Sequence, residues 1–215
     1  MWACPTIWME ASLRLALRHL VPHHAQELVR GGAETLAQKA LSLDPASTLG
    51  YRLLAEVDVA HGRFRLALAQ IDRALTLNPG DADALGERGA ILVLAGRAEE
   101  ALPWIERALR IDPGSASRPA FYLGEAYYFL DRYSDAVEAL DQAVSGNLGY
   151  NTQYAGRSVL AAAYAQLDKP QDAERERAIA MRMAPFLDAE RFASQFGTQQ
   201  ARNKMLEGLK KAGFH

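Results

Sequence analysis

A proline-marked period of 34 residues runs through the middle of this 215-residue chain. The pairs Asp44-Pro45, Asn78-Pro79 and Asp112-Pro113 each follow a short apolar stretch, and successive prolines are 34 residues apart. Proline cannot continue a helix, because it lacks the backbone N–H and its ring clashes with the preceding turn. Each pair therefore marks a place where one helical repeat ends and the next begins.

Small residues recur at fixed positions within each period. With Pro79 and Pro113 at position 32, positions 8, 20 and 27 are small in every repeat, whereas positions 7 and 24 are mostly large and apolar, Arg88 and Arg177 excepted. Small side chains let packed helices approach closely, so the pattern predicts stacked helical hairpins that larger residues would overpack. The small positions hold Ala55, Ala67, Ala74, Gly89, Ala101, Ala108, Gly124, Ala136, Ala143, Ala161, Ala173 and Ala180.

The period, the small residues and the proline at position 32 resemble the tetratricopeptide repeat over about residues 27–187. The resemblance implies an all-α fold, a right-handed α-solenoid of antiparallel helix hairpins with C-terminal capping helices. We expect a degenerate N-terminal repeat or cap over residues 1–45, with its first helix within Trp8–Leu20. Four repeats should fill residues 46–187 (48–81, 82–115, 117–150 and 154–187), and capping helices residues 188–215.

The last expected helix, Gln199–Ala212, has an apolar face containing Met205, Leu206 and Leu209. Lys204, Lys210 and Lys211 are expected to face solvent. A shorter helix should precede it over Leu187–Phe196. The simplest interpretation of both helices is a polar cap over the last repeat.

The same resemblance implies a concave groove lined by the first helix of each hairpin, with positions 2, 5, 9 and 12 pointing into it. Gly86 and Ala90 are expected to leave this groove wide, and Phe121 and Tyr128 to provide aromatic anchors for a peptide. An alternative is that these two aromatic residues pack against neighbouring helices, or against C-terminal helices folded back into the groove. The expected groove residues are Arg52, Glu56, Val59, Gly86, Ala90, Arg118, Phe121, Glu125, Tyr128 and Ser158.

A protein-interaction scaffold with a protein or peptide partner is therefore the expected function, and no enzyme activity is expected. An alternative is a regulatory or oligomerisation region of a bacterial signalling protein that lacks its effector domain. This alternative rests on similarity to the C-terminal repeat regions of bacterial adenylate and guanylate cyclase-like signalling proteins. The similar stretches are residues 101–113, 126–144, 161–178 and 206–214. Homo-oligomerisation is left open.

Composition argues against several other classes of function. A net charge of −2 provides no basic field for nucleic acid. No apolar run approaches the ~20 residues of a membrane span, and the N-terminus lacks the basic start of a secretion signal. The single cysteine, Cys4, cannot form a disulfide within the chain, so we expect a cytoplasmic protein. No phosphate-binding loop, serine elbow or HExxH motif occurs, and no cofactor is expected.

A metal site at the N-terminus is a third hypothesis. His19 and His23 are four residues apart and could share a helix face, with His24 and Glu27 nearby. Pro22 interrupts that helix, and no further Cys or carboxylate spacing completes a ligand set. Solvent-facing histidines without a bound metal are therefore expected.

Overall fold

The computed structural model describes residues 23–146 and 148–215. Within these ranges the chain forms eleven α-helices and no β-strand, which confirms the all-α prediction. Cys4, His19 and the helix expected within Trp8–Leu20 lie outside the described residues. The helices are α1 (His23–Leu43), α2 (Thr48–Ala60), α3 (Phe64–Leu77), α4 (Ala82–Leu94), α5 (Ala98–Ile111), α6 (Ser117–Phe129), α7 (Tyr133–Ser145), α8 (Tyr150–Gln166), α9 (Pro170–Met183), α10 (Ala189–Ala193) and α11 (Gln199–Lys211).

Three of the four predicted repeat starts coincide with the first residue of a helix, and the division of the chain into repeats and caps stays a prediction. α2, α4 and α6 begin at Thr48, Ala82 and Ser117, which are the first residues of the predicted repeats. α8 begins at Tyr150, before the predicted start at Tyr154. α10 is shorter than the expected helix over Leu187–Phe196.

Two compact units divide the chain, and the first ends at Ala84. In its described part, α2 packs against α1 and α3. Arg63, in the turn before α3, donates to the buried carboxylate of Asp58 at 2.7 Å and lies 3.6 Å from Glu34 of α1. These ion pairs tie the three helices together at one end. The apolar centre of this unit contains Ala33, Ala37, Leu53 and Val57.

The second compact unit begins at Leu85. Successive helices from α5 to α9 pack on one another, and α11 packs on α8, α6 and α10. One continuous apolar core joins α6 to α11, so the C-terminal segment (residues 196–215) shares its core with the last two hairpins. The largest fully buried side chains of this core are Tyr128, Leu140, Leu160, Phe196, Met205, Leu209 and Phe214.

Close helix packing within the hairpins depends on the predicted small positions. A Cβ on Gly89 would overlap Cγ1 of Ile105, and a Cβ on Gly124 would overlap the Leu140 side chain. In both hairpins the large residue at position 24 fills the space that the glycine at position 8 leaves. The structure therefore explains why the two positions alternate in size.

The two polar exceptions to the pattern find partners beside the helices. The Arg88 guanidinium lies 3.9 Å from the ring centroid of Trp104, so it stacks on an aromatic face. Arg177 donates to both carboxylate oxygens of Glu174 at 2.8 Å. Long arginine side chains can occupy such positions because their charged ends reach the surface.

The turn between the two helices of each hairpin has one residue in the left-handed conformation. Gly62 and Gly96 have φ of +70° and +78°. Asp131 and Asp168 have φ of +61° and +55° at the corresponding turns of the next two hairpins. Aspartate tolerates this conformation better than most residues with a Cβ. The last two turns therefore carry a carboxylate where the first two carry no side chain.

Gly89→Ala should destabilise the protein by about 1–3 kcal/mol, because the new methyl group would overlap Ile105. Helix propensity alone would favour alanine at this position by ~1 kcal/mol. Urea denaturation followed by circular dichroism measures the difference. Gly80→Ala, in an exposed loop with only the Asn78 side chain within 4 Å, is the matched control and should change stability little. An increase in stability for Gly89→Ala would contradict close packing at this seam.

Candidate functional site

The C-terminal helix α11 lies across α6 and α8, the first helices of two successive hairpins. Thr198 caps α11 by accepting a hydrogen bond from the Ala201 N–H at 3.2 Å, and Gly213, with φ of +88°, ends it. Its buried residues follow helical spacing and form one apolar stripe. They are Ala201, Met205, Gly208, Leu209 and Ala212.

Gly208 marks a close approach of α11 to α6. A Cβ on Gly208 would overlap the Tyr128 hydroxyl and lie 3.3 Å from Cβ of Ala162 in α8. The Tyr128 hydroxyl donates to the Lys204 carbonyl at 3.4 Å, and burial raises the pKa of Tyr128 to about 12. Any other residue at position 208 would have to push α11 away from this ring.

Lys204 joins α11 to the turn that follows α6. Its ammonium donates to the Phe129 carbonyl at 2.9 Å and to Oδ1 of Asp131 at 2.6 Å. The Tyr133 hydroxyl donates to the same Asp131 oxygen at 2.5 Å. These two donors hold the pKa of Asp131 below its usual range. Lys204 thus satisfies a helix-end carbonyl and a carboxylate together.

Lys211 makes the equivalent contact at the turn after α8. Its ammonium donates to Oδ1 of Asp168 at 3.2 Å and lies 3.5 Å from Oε1 of Gln166. At the other end of the segment, the Gly197 N–H donates to the Leu94 carbonyl of α4 at 2.7 Å. The segment therefore follows the ends of α4, α6 and α8 in order.

Aromatic side chains fix the two ends of the C-terminal segment. Phe196 is fully buried, with its ring 4.8 Å from that of Phe129 in an edge-to-face arrangement. Phe214 is also buried, and the Ala189 N–H donates to the carbonyl of His215 at 3.1 Å. The chain end is thus held against α10.

Glu125 was expected to line the groove, and this expectation is wrong because it is a buried carboxyl on α6, one turn before Tyr128. It is 1% exposed, and its Oε2 has no hydrogen-bond partner among the residues that the structure describes. Burial raises its pKa from 4.5 to about 8, so the group is mostly protonated at neutral pH. The carboxyl keeps its proton because the charged form would lose its hydration in this apolar core.

The two aromatic residues of the predicted groove are not exposed either, so the expectation of open aromatic anchors is wrong. Phe121 is 5% exposed and Tyr128 is 0% exposed. Phe121 packs edge-on against Tyr122, with the ring centroids 4.9 Å apart. Tyr128 lies beneath α11, which is the alternative of C-terminal helices folded back. Alanine at these positions would therefore open cavities in the core.

The expectation that Gly86 and Ala90 widen an open groove is also wrong, because both residues are buried. A Cβ on Gly86 would lie 3.5 Å from Pro119 of α6 and 3.8 Å from Ala108. Gly86 therefore sits in a seam between helices. Ser158 is buried too, and its hydroxyl donates to the Tyr154 carbonyl at 2.8 Å.

The remaining predicted groove residues reach the surface at least in part. Arg118 lies 3.6 Å from the carboxylate of Glu87, within the second compact unit. In the first compact unit, Arg52 pairs with Asp83 at 3.1 Å. Glu56 and Val59 are half-buried there. Whether these residues bind a partner stays a prediction.

Sequence reasoning missed the close approach at Gly208 and the contacts of Lys204 and Lys211. The expectation that Lys204 faces solvent is wrong, because its side chain is only 23% exposed. Lys211 is exposed as expected, and it also pairs with Asp168. Gly208 was a usable signal, because a glycine inside an amphipathic helix often marks a close approach. The spacing of the two lysines was visible in the sequence. Their contacts could not be predicted from it, because the acidic turns lie far away along the chain. Lys210 is exposed, as expected.

Comparison with known proteins supports the tetratricopeptide resemblance. Residues 52–116 match the family model "Tetratricopeptide repeat". The chain is similar in structure to PilW, a type IV pilus biogenesis factor (TM-score 0.67, 16% identity, 94% of this chain and 91% of that one). It is also similar to a thermophilic repeat protein from Thermus thermophilus (TM-score 0.63, 22% identity, 86% and 98%).

A third similar structure is YrrB, described as a TPR protein with an unusual peptide-binding site (TM-score 0.52, 17% identity, 80% of this chain and 86% of that one). At these identities the likeness shows the fold alone. No curated protein matches the chain. The narrower similarity to cyclase-like signalling proteins finds no support in these comparisons.

The described residues include neither a membrane-spanning helix nor a metal-binding cluster. Among the described helices, none combines the length and the apolar character needed to cross a bilayer. No group of three or more His, Cys, Asp or Glu side chains in the described ranges is arranged to hold a metal ion. The side chains of His23 and His24, and the whole of His19, lie outside what the structure describes.

Gly208→Leu should detach α11, because a leucine side chain cannot fit against Tyr128. Hydrogen exchange of the α11 amides should then speed up at least tenfold, and the pKa of Tyr128 should fall from about 12 towards its ordinary value. Mass-spectrometric hydrogen exchange and ultraviolet titration measure the two effects. Asn203→Leu, on the exposed face of α11, adds similar bulk and should change neither.

Glu125 predicts an unusual pH dependence of stability. The unfolded chain loses this proton above about 4.5 and the folded chain only above about 8, so the free energy of unfolding falls as pH rises between these values. Glu125→Met should remove this slope and raise the melting temperature most at pH 8. Thermal denaturation at several pH values tests it, with the exposed Glu138→Met as control. An unchanged slope in Glu125→Met would show that other groups cause it.

Proposed function

We propose that this chain, whose residues 52–116 match the tetratricopeptide repeat, is a protein-interaction scaffold that holds an amphipathic helix of a partner protein against α6 and α8. The observation that supports the proposal is the position of α11. The surface formed by these two helices already accommodates a helix with an apolar stripe, a central glycine and flanking lysines. Binding of an amphipathic helix in a groove is a common mode of peptide recognition.

The partner helix would exchange with α11 instead of adding to it. While α11 is docked, Tyr128 and Ala162 are covered. A competing helix therefore binds only the fraction of molecules in which α11 is undocked, and its apparent affinity is lowered by that fraction. The partner's affinity is thus set by how weakly the chain holds its own helix.

A second part of the proposal concerns the first compact unit. Arg52, Glu56 and Val59 lie on α2, the first helix of its hairpin, at the positions that face a ligand in the family. Arg118 occupies such a position on α6 in the second unit. We keep these four residues as candidate contacts for a partner protein.

Other features of the expected function remain predictions. The scaffold role implies no catalysis and no cofactor, and tetratricopeptide-fold proteins are typically non-enzymatic. A cytoplasmic location, independence from nucleic acid and membranes, and homo-oligomerisation are untested. The alternative of a regulatory region from a cyclase-type signalling protein stands without a supporting observation in the structure.

Affinity purification from the source organism tests the scaffold proposal. The wild-type chain and Gly208→Leu serve as baits, and captured proteins are quantified by mass spectrometry. We expect at least one partner to be enriched at least fivefold on Gly208→Leu, since its groove is open. An excess of a synthetic peptide of residues 188–215 should release that partner.

The same peptide carrying Gly208→Leu is the matched control and should not release the partner. Asn203→Leu bait should behave as the wild-type chain. Equal capture by all three baits together with no release by the wild-type peptide would contradict binding at the α6–α8 surface.

A further inference from the structure

We propose that the partner helix carries two cationic side chains seven residues apart that pair with Asp131 and Asp168, and a glycine between them over Tyr128. This inference rests on the proposed function and specifies the partner's chemistry. The contacts that α11 makes on this surface support the inference, and the proposed occupant is a basic amphipathic helix of another protein that replaces α11.

The two acidic turns are placed to bind such a helix. Lys204 lies 2.6 Å from Asp131, and Lys211 lies 3.2 Å from Asp168. The Asp131 and Asp168 side chains are otherwise well exposed, at 69% and 88%. When α11 leaves, both carboxylates remain at the edge of the surface and attract cations.

Helix geometry explains the spacing of seven residues. Seven residues span about two turns and ~10.5 Å along a helix axis, and they return to nearly the same face. Neighbouring packed helices such as α6 and α8 are typically ~8–10 Å apart. A helix that crosses both hairpins can therefore place one cation beside Asp131 and the next beside Asp168. Two cations only three or four residues apart would both lie near the same aspartate.

The identity of the turn residues adds to the argument. The turns at Gly62 and Gly96 satisfy the left-handed backbone with glycine, which is the least strained residue there. Asp131 and Asp168 adopt the same conformation with a side chain, and both point to a lysine of α11. The two turns that α11 lysines reach are thus the two that carry charge.

The central glycine follows from Tyr128. Gly208 lies four residues after Lys204 and three before Lys211, and a Cβ there already meets the Tyr128 hydroxyl. A partner helix must therefore place a glycine between its cations, with apolar residues beside it, as Met205 and Leu209 are in α11. The required pattern is basic, apolar, two unrestricted residues, glycine, apolar, one unrestricted residue, basic.

Fluorescence anisotropy on the full-length chain tests this pattern. The probe is a fluorescein-labelled synthetic peptide with the sequence of residues 197–215, and the receptor is the full chain carrying Gly208→Leu. A second receptor, carrying Lys204→Glu and Lys211→Glu, weakens α11 docking without adding bulk in the core. The comparison peptide has both lysines replaced by glutamate.

We expect the wild-type peptide to bind either receptor at least tenfold more tightly than the charge-reversed peptide at low salt. This ratio should shrink in 0.5 M NaCl, because exposed charges are screened. Adding Asp131→Asn and Asp168→Asn to the receptor should bring the ratio close to one. Asparagine preserves the left-handed turns, so loss of discrimination would reflect charge alone.

Three results would overturn the inference. Equal binding of the two peptides would refute the charge pattern while leaving the scaffold proposal intact. If neither peptide binds to either receptor, the scaffold proposal itself is refuted. A wild-type dimer in sedimentation analysis that disappears with Gly208→Leu would assign the surface to α11 of a second copy, not to another protein.

Discussion

Close contact between helices at residues that have little or no side chain is the constraint on which the second compact unit depends. Gly89 against Ile105 and Gly124 against Leu140 set the spacing within hairpins. Gly208 against Tyr128 applies the same rule to the C-terminal helix. Dispersion attraction weakens when atoms move apart by a fraction of an ångström. The small residues stabilise the fold because they let the helices come close enough for this attraction. Between hairpins, Gly86 lies against Pro119 of α6, so each hairpin also depends on its neighbour.

The C-terminal helix is held by two kinds of interaction that differ in how easily they are replaced. Its apolar stripe shares the core with α6 and α8, whereas Lys204 and Lys211 make exposed ion pairs at the rim. Apolar contacts accept many helices of suitable shape, but charged contacts depend on register. On α6, burial raises the pKa of Glu125, so the free energy of unfolding is expected to fall as pH rises. The site therefore combines an apolar surface that tolerates different helices with two carboxylates that require cations at fixed positions.

Much of the fold could be predicted because the determinants are local and periodic. The proline pairs and the small positions located the starts of α2, α4 and α6, and the turn glycines located the hairpin turns at Gly62 and Gly96. The candidate site was harder to predict from the sequence, because the spacing of Phe121 and Tyr128 is the same whether they face solvent or a covering helix. Only a contact between residues about 75 positions apart, such as Lys204 with Phe129, separates the two cases.

The sequence by itself determined that this chain forms stacked helical hairpins, since helix periodicity and close-packing residues repeat within each 34-residue period. It also determined that the last helix is amphipathic. The tertiary structure alone decided where that helix docks, which buried Tyr128 and paired its lysines with Asp131 and Asp168. The reason is that an apolar stripe indicates only that a helix packs against another surface. The shape and charge of α6, α8 and their turns, which are distant in sequence, decide that α11 packs there.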